Sequence, residues 1–242
     1  MNKTILITGS AKGIGRAAAL AFAKKGWCVA LNTKSSVEQL EKTLCEVHKY
    51  SPSSKAYIAD VSDYDEAEKM FAAVKNDMGS PEVLINNAGV SYIGLFNTMQ
   101  PQQWRSLMQN NVDSMFNCTH LALQDMIKNH SGKIINISSM WGISGASCEA
   151  VYSASKGAVN SFTKALAREL GPSGIYVNAI ACGAVETEMN SFMTKEEHAA
   201  FADEIPLGRF ADPAEVASLA LYLAEENTYI TGQIISLDGG IN

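Results

Sequence analysis

Short, continuous apolar runs alternate along this chain with longer stretches in which apolar residues recur every three or four positions. Runs such as Ile5-Leu6-Ile7 are too uniformly apolar for a strand with one face in water, and fit strands covered on both sides. They predict strands over 4–8, 28–32, 56–59, 83–86, 133–138, 176–180 and 233–237. The periodic stretches predict helices over 14–25, 37–50, 64–78, 102–127, 151–170 and 213–224. Such β-α alternation implies an α/β fold, a doubly wound parallel sheet of seven strands with helices on both faces. Several boundaries carry their own chemistry. Asp212-Pro213-Ala214-Glu215 combines an N-cap acid, a first-turn proline and an acid at the third helical position. Gly26 and Gly171-Pro172 end their helices. No linker, repeat or low-complexity tract interrupts the pattern, so residues 1–242 are expected to form one domain. Periodicity is weakest over 182–206, after a strand and on the edge where such sheets bind ligands, which suggests a substrate lid.

Composition narrows the class. With 47% hydrophobic and 18% charged residues the chain can bury a large core and is not disordered. A net charge of −6 with scattered cations excludes a basic nucleic-acid face. No stretch reaches the roughly 18–20 apolar residues of a membrane span, and the N-terminal apolar run is too short for a secretory signal. The five cysteines are odd in number and widely spread, which suits reduced thiols and a cytoplasmic location. The four histidines have no metal-ligand spacing, so no metal site is expected.

Two segments carry chemistry. Gly9, Lys12, Gly13, Ile14 and Gly15 lie in a turn between the first strand and first helix, where glycines let backbone approach a pyrophosphate and helix N–H groups face anionic oxygens. Their placement gives the sheet a Rossmann-like cofactor end. At the end of the second strand an acid would bind ribose hydroxyls and repel a 2′-phosphate. Here Asn32-Thr33-Lys34 offers a lysine instead, and Lys12 a second cation, which points to NADP(H). Tyr152 and Lys156, at i and i+4, share a helical face, and an ammonium there is expected to lower the phenol's pKa from about 10. Such a tyrosine exchanges a proton with a carbonyl oxygen.

Thr8-Gly9-x-x-x-Gly13-x-Gly15, Asp60-Val61, Asn86-Asn87-Ala88-Gly89, Asn111, Ser139 and Tyr152-x-x-x-Lys156 resemble the short-chain dehydrogenase/reductase family from end to end. The C-terminal half, with Pro206-Leu-Gly-Arg-Phe210 and Asp238-Gly-Gly240, is most similar to bacterial 3-oxoacyl-[acyl-carrier-protein] reductases. The resemblance implies a catalytic tetrad of Asn111, Ser139, Tyr152 and Lys156. In it Tyr152 is the acid, Lys156 tunes it and holds the nicotinamide ribose, Ser139 polarises the carbonyl, and Asn111 positions a relay water. It also implies that Asp60 and Val61 contact adenine; Thr33 and Lys34, at the end of the second strand, remain expected cofactor residues. Asn87, Ala88 and Gly89 would line the middle of the cofactor, and Val185 and Thr187 the nicotinamide carboxamide. Ser139 is preferred to Ser138 by its thirteen-residue offset from Tyr152, and Asn111 to Asn110 because it precedes Val112. A homotetramer is implied, built partly from the helix over 102–127 and the C-terminal strand.

The chain departs from the pattern at Cys182-Gly183, where the family usually has Pro-Gly; cysteine frees a dihedral that proline would fix. Positions where carrier-protein reductases usually hold arginines read Asn129-His130 and Ser173, with Lys128 nearby. The run from Ser139 to Glu149 also resembles a subgroup that reduces a 5-aminopentanone group on a lysine of elongation factor P. Trp141, Glu149 and Cys182 are the expected substrate-pocket residues. Glu149 either faces the pocket mouth, where it would pair with a cationic amine, or is a helix-start acid. A steroid or small-ketone reductase is a further alternative. A non-catalytic NADP-sensing protein on this fold typically loses the tyrosine or lysine, both retained here.

Overall fold

Seven parallel strands run in the order β3-β2-β1-β4-β5-β6-β7 in this computed structural model. They span Thr4–Ile7 (β1), Cys28–Thr33 (β2), Lys55–Ile58 (β3), Val83–Asn86 (β4), Gly132–Ser139 (β5), Ile175–Cys182 (β6) and Ile234–Leu237 (β7), close to the predicted bounds. The structure describes residues 3–190 and 193–242; Met1 and Asn2, and Ser191 and Phe192 of the expected lid, lie outside the described residues. The helices are Gly13–Lys24 (α1), Val37–Val47 (α2), Tyr64–Met78 (α3), Pro101–Met108 (α4), Ser114–Asn129 (α5), Trp141–Ser144 (α6), Ala150–Leu170 (α7), Lys195–Glu204 (α8) and Pro213–Glu225 (α9).

β1 shows why the apolar runs are unbroken. Ile5 and Ile7 join a cluster with Phe22 of α1, Leu40 of α2 and Val216 of α9. Leu6 joins a second cluster with Phe71 of α3, Met126 of α5 and Leu166 of α7. Successive side chains on a strand point to opposite faces, and here both faces are covered. Ile5, Leu6 and Ile7 are each 0% exposed, and each such burial contributes about 1.5–3 kcal/mol. At the far edge β7 pairs with β6 in the register Cys182↔Leu237, and the Gly183 N–H extends the ladder to the Leu237 carbonyl.

One expected helix is broken. The stretch over 102–127 is not continuous: α4 passes into a π-helical turn, Gln109–Asp113, before α5 begins. Polar side chains there bond to backbone, Asn110 Nδ2 to the Ser106 carbonyl (2.7 Å) and Ser114 Oγ to the Asn110 carbonyl (2.6 Å). A π turn shifts the register of the helix beyond it and is frequent at functional sites. This one carries the buried Asn111. The helix predicted over 37–50 is shorter, ending at Val47. The lid region holds a helix that periodicity did not reveal: α8 starts with a reciprocal cap between Thr194 and Glu197.

β1 lies between β2 and β4, so the chain's winding direction reverses there. A crevice opens outside the carboxyl ends of strands at such a point. The loops after β1 and β4 meet across it: Asn87 Nδ2 donates to the Thr8 and Gly9 carbonyls (both 2.9 Å), and the Thr8 hydroxyl accepts from the N–H groups of Asn87 and Ala88 (both 3.0 Å).

Candidate active site

α7 buries a stripe of polar side chains, Tyr152, Ser155, Lys156, Asn160 and Thr163, at three- and four-residue spacing. Each polar group on this face needs a partner. Ser155 Oγ donates to the Tyr152 carbonyl (2.7 Å) and Lys156 Nζ to the Ile137 carbonyl on β5 (2.9 Å). Thr163 Oγ1 accepts from Asn136 Nδ2 (2.9 Å), and Asn136 Oδ1 accepts from Asn86 Nδ2 (2.9 Å). This ladder ties α7 to β5 and to the end of β4.

The two adjacent serines separate by partner. Ser138 Oγ donates to Asn160 Oδ1 (2.6 Å), a purely internal bond. Ser139 lines the cavity beside Tyr152 and lowers its pKa, and its Oγ accepts from the Trp141 N–H (3.2 Å). The two asparagines separate likewise. Asn110 folds back on its own helix, whereas Asn111 clamps Val90 through both backbone groups (Val90 N to Oδ1 2.7 Å, Nδ2 to Val90 O 2.9 Å) and reaches Ser155 Oγ (3.0 Å).

Tyr152, Lys156 and Ser139 line one cavity of about 360 Å³, together with Trp141, Glu149, Cys182, Val185, Thr187 and, from the glycine turn, Ile14. Its remaining wall includes Ile93, Met189 and Phe201, which the sequence did not single out. Lys156 is the one cation and Glu149 the one carboxylate among the described residues that line it.

The electrostatics differ from the expectation drawn from i,i+4 spacing. Burial pushes the Tyr152 hydroxyl up to about 12, opposed by the Ser139 hydrogen bond and reinforced by the nearby Glu149 and Cys182. The Lys156 ammonium lies 5.7 Å from the Tyr152 ring centroid and donates to the Ile137 carbonyl, and burial outweighs the lowering expected from the spacing. Burial lowers Lys156 itself to about 8. The Cys182 thiol is pushed up to about 12 by burial, partly offset by Lys156. Glu149 stands at the N-cap of α7 but makes no side-chain cap bond. Burial raises its carboxyl, while a hydrogen bond to Trp141 favours ionisation.

The crevice fits a dinucleotide. Gly9 has φ +62°, and a methyl group there would lie 2.9 Å from Ala88 Cα; one on Gly15 would lie 2.5 Å from the Gly9 carbonyl oxygen. α1 has no acid in its first turn and no side-chain cap, so its leading N–H groups are available to an anion. Beyond the glycines, Thr33 is buried and its Oγ1 accepts from the Ser36 N–H (3.2 Å), and Val61 is buried. Lys34 pairs with Asp60 Oδ2 at 2.5 Å. Partial burial raises the Asp60 carboxyl, but hydrogen bonds from Lys34 and Ser62 outweigh it and hold the group below its ordinary range. Lys12 pairs with Glu188, a partner that nothing in the local sequence announces. Gly89 lies against the Asn111 side chain and near Lys156 Nζ. Among the described residues no cluster of His, Cys, Asp and Glu could hold a metal ion, and no helix is long and apolar enough to cross a membrane.

A dinucleotide crevice beside a buried Ser-Tyr-Lys constellation defines an oxidoreductase of the nicotinamide-dependent type. The chain belongs to the short chain dehydrogenase family, whose sequence model matches residues 3–198. It is 40% identical over 244 residues to an uncharacterised oxidoreductase, YmfI, of Bacillus subtilis, covering 99% of each protein. It is 38% identical over 242 residues to the 3-oxoacyl-[acyl-carrier-protein] reductase FabG of Staphylococcus aureus, covering 100% of this chain and 98% of the other. In three dimensions it is similar to an actinorhodin polyketide ketoreductase variant solved with NADPH, with a TM-score of 0.96 at 32% identity over 99% of this chain and 97% of that one.

Proposed function

We propose that this chain is an NADPH-dependent ketone reductase, a one-domain enzyme with Tyr152 as general acid. The observation that carries the proposal is the convergence of Tyr152, Ser139 and Lys156 on one cavity that also holds the edge of the glycine turn. The glycine turn would hold the pyrophosphate, Asp60 and Val61 the adenine, Asn87 to Gly89 the middle of the dinucleotide, and Val185 and Thr187 the carboxamide. Lys12 and Lys34 are the two cations suited to a 2′-phosphate. The NADPH in the similar ketoreductase supports this choice.

When bound, NADPH supplies a hydride to the carbonyl carbon. Ser139 donates a hydrogen bond to the carbonyl oxygen and orients it, and Tyr152 transfers its phenolic proton to that oxygen, giving an alcohol. The phenolate left behind is stabilised by Ser139 and by the ammonium of Lys156. Asn111, which fixes Val90 and Ser155 around Lys156, positions the water that returns the proton. The exposed Phe116 of α5, packed on Phe162 of α7, supports a homotetramer in which these helices are covered. The five cysteines, none of them in a disulfide, suit a cytoplasmic location.

A 3-oxoacyl thioester on acyl-carrier protein is the substrate best supported by the carrier-protein reductases among the relatives. Glu149 favours a second reading. A carboxylate on the cavity wall that does not cap its helix suits a ketone bearing an amine, such as the 5-aminopentanone group on elongation factor P. An NADPH-oxidation panel of acetoacetyl thioesters, aminoketones and steroid ketones decides between them. Thioester turnover is expected. Turnover of aminoketones alone would establish the second reading, and tight NADPH binding with no turnover of any ketone would replace both with a cofactor sensor.

A further inference from the structure

Both lysines assigned to the 2′-phosphate are already paired with carboxylates, and the two pairs differ in kind. Lys34 is held by Asp60, at the end of the neighbouring strand. Lys12 is held by Glu188, 176 positions away in a short 3₁₀ turn, Glu188–Asn190, at the root of the lid. That turn is tied on its other side to the segment after β6, where Asn190 Nδ2 donates to the Val185 carbonyl (2.8 Å). Thr187 packs on the glycine turn closely enough that a methyl group on Gly13 would come within 3.3 Å of its Cγ2. Thr187 also separates two spaces, because it lines both the catalytic cavity and a second groove, of about 840 Å³, that runs past Lys12 and Arg16. The Lys12–Glu188 pair therefore bridges the glycine turn and the lid root across the approach to the crevice.

We propose that Glu188 is an internal competitor for the cofactor: it occupies Lys12 until a 2′-phosphate displaces it, and the displacement frees the lid root. A phosphate monoester carries more charge than a carboxylate and three acceptor oxygens, so it wins Lys12 when present, but only after the existing pair is broken. Both side chains of the pair are more than half exposed, so it weighs little and the competition is mild. The inference rests on the NADP(H) reading.

The test uses the whole chain with 2′,5′-ADP and 5′-AMP, which differ in the 2′-phosphate, and reads affinity by calorimetry and the 187–190 amides by hydrogen exchange. Wild type should bind 2′,5′-ADP more tightly than 5′-AMP. Glu188→Gln should tighten 2′,5′-ADP by about two- to fivefold and leave 5′-AMP unchanged. Lys12→Gln should abolish that gain when combined with Glu188→Gln. Exchange at 187–190 should quicken in Glu188→Gln and in wild type on adding 2′,5′-ADP. Unchanged or weaker 2′,5′-ADP binding by Glu188→Gln, or equal tightening of both nucleotides, would overturn the competitor role alone. A wild type that does not distinguish the two nucleotides would overturn the NADP(H) reading and the competitor role together.

Discussion

Tyr152 of α7 and Ser139, at the end of β5, line one cavity, whereas the ammonium of Lys156, one helical turn further on, is bound to the carbonyl of Ile137. Tyr152→Phe removes the transferable proton and little else. Turnover should fall by about 10²–10⁴-fold, with NADPH affinity by fluorescence titration unchanged within a few-fold. Retained turnover would remove Tyr152 from the acid's role.

Lys156 should set the alkaline limit of the free protein. Its pKa is lowered to about 8, so it is charged below that pH and neutral above it, while Tyr152, pushed up to about 12, keeps its proton throughout. The profile of kcat/KM for NADPH should be level below about pH 8 and fall above it as the ammonium discharges. For stability the sign is opposite. Between about 8 and 10.5 the unfolded chain binds more protons at this site than the folded one, so the contribution of Lys156 rises with pH across that window and is lost as pH falls through 8. A chemical-denaturation series over the same pH range checks this.

Cofactor choice should follow Lys34. NADPH is expected to be preferred to NADH, and Lys34→Asp should narrow the preference by placing a second carboxylate beside Asp60. Steady-state KM values for the two cofactors measure it. A wild type that prefers NADH would reverse the assignment.

Glu149→Gln preserves shape and hydrogen bonding to Trp141 while removing charge. If the carboxylate recognises an amine, kcat/KM should drop about tenfold or more for an aminoketone and little for an acetoacetyl thioester. Equal effects on the two substrates would confine Glu149 to a structural part.

Asn111→Ala strips partners from Val90 and Ser155 together. Leaving those groups unsatisfied should cost on the order of 1–3 kcal/mol, read as a lower urea midpoint at unchanged m-value. Turnover should fall as well, because the same clamp holds α7 against the loop after β4.

Strand positions, covered faces and most helix bounds were legible because they follow from apolar periodicity, which is a local property. The break inside 102–127 was not, because it depends on Asn111 finding Val90 and Ser155, 21 and 44 positions away. α8 was half legible: Thr194 and Glu197 spell a capping box, but its burial is too slight to impose an apolar stripe. In the site, Tyr152 and Lys156 could be placed on one face from spacing alone. The direction of their pKa shifts could not, because burial by distant strands dominates it. The Lys12–Glu188 pair left no trace in the sequence at all.

The pairing of β7 with β6 gives the end of the chain an influence on a site it never touches. Among the described residues none after Phe201 lines the catalytic cavity, yet Leu237 is in register with Cys182, and its carbonyl anchors Gly183, both of which do. The outermost strand thus works as a brace for the cavity wall formed by Cys182 and Gly183. Trimming the chain from Gln233 onward, or seating another molecule on that edge, should register as altered ketone affinity before any of the residues that perform the chemistry is disturbed.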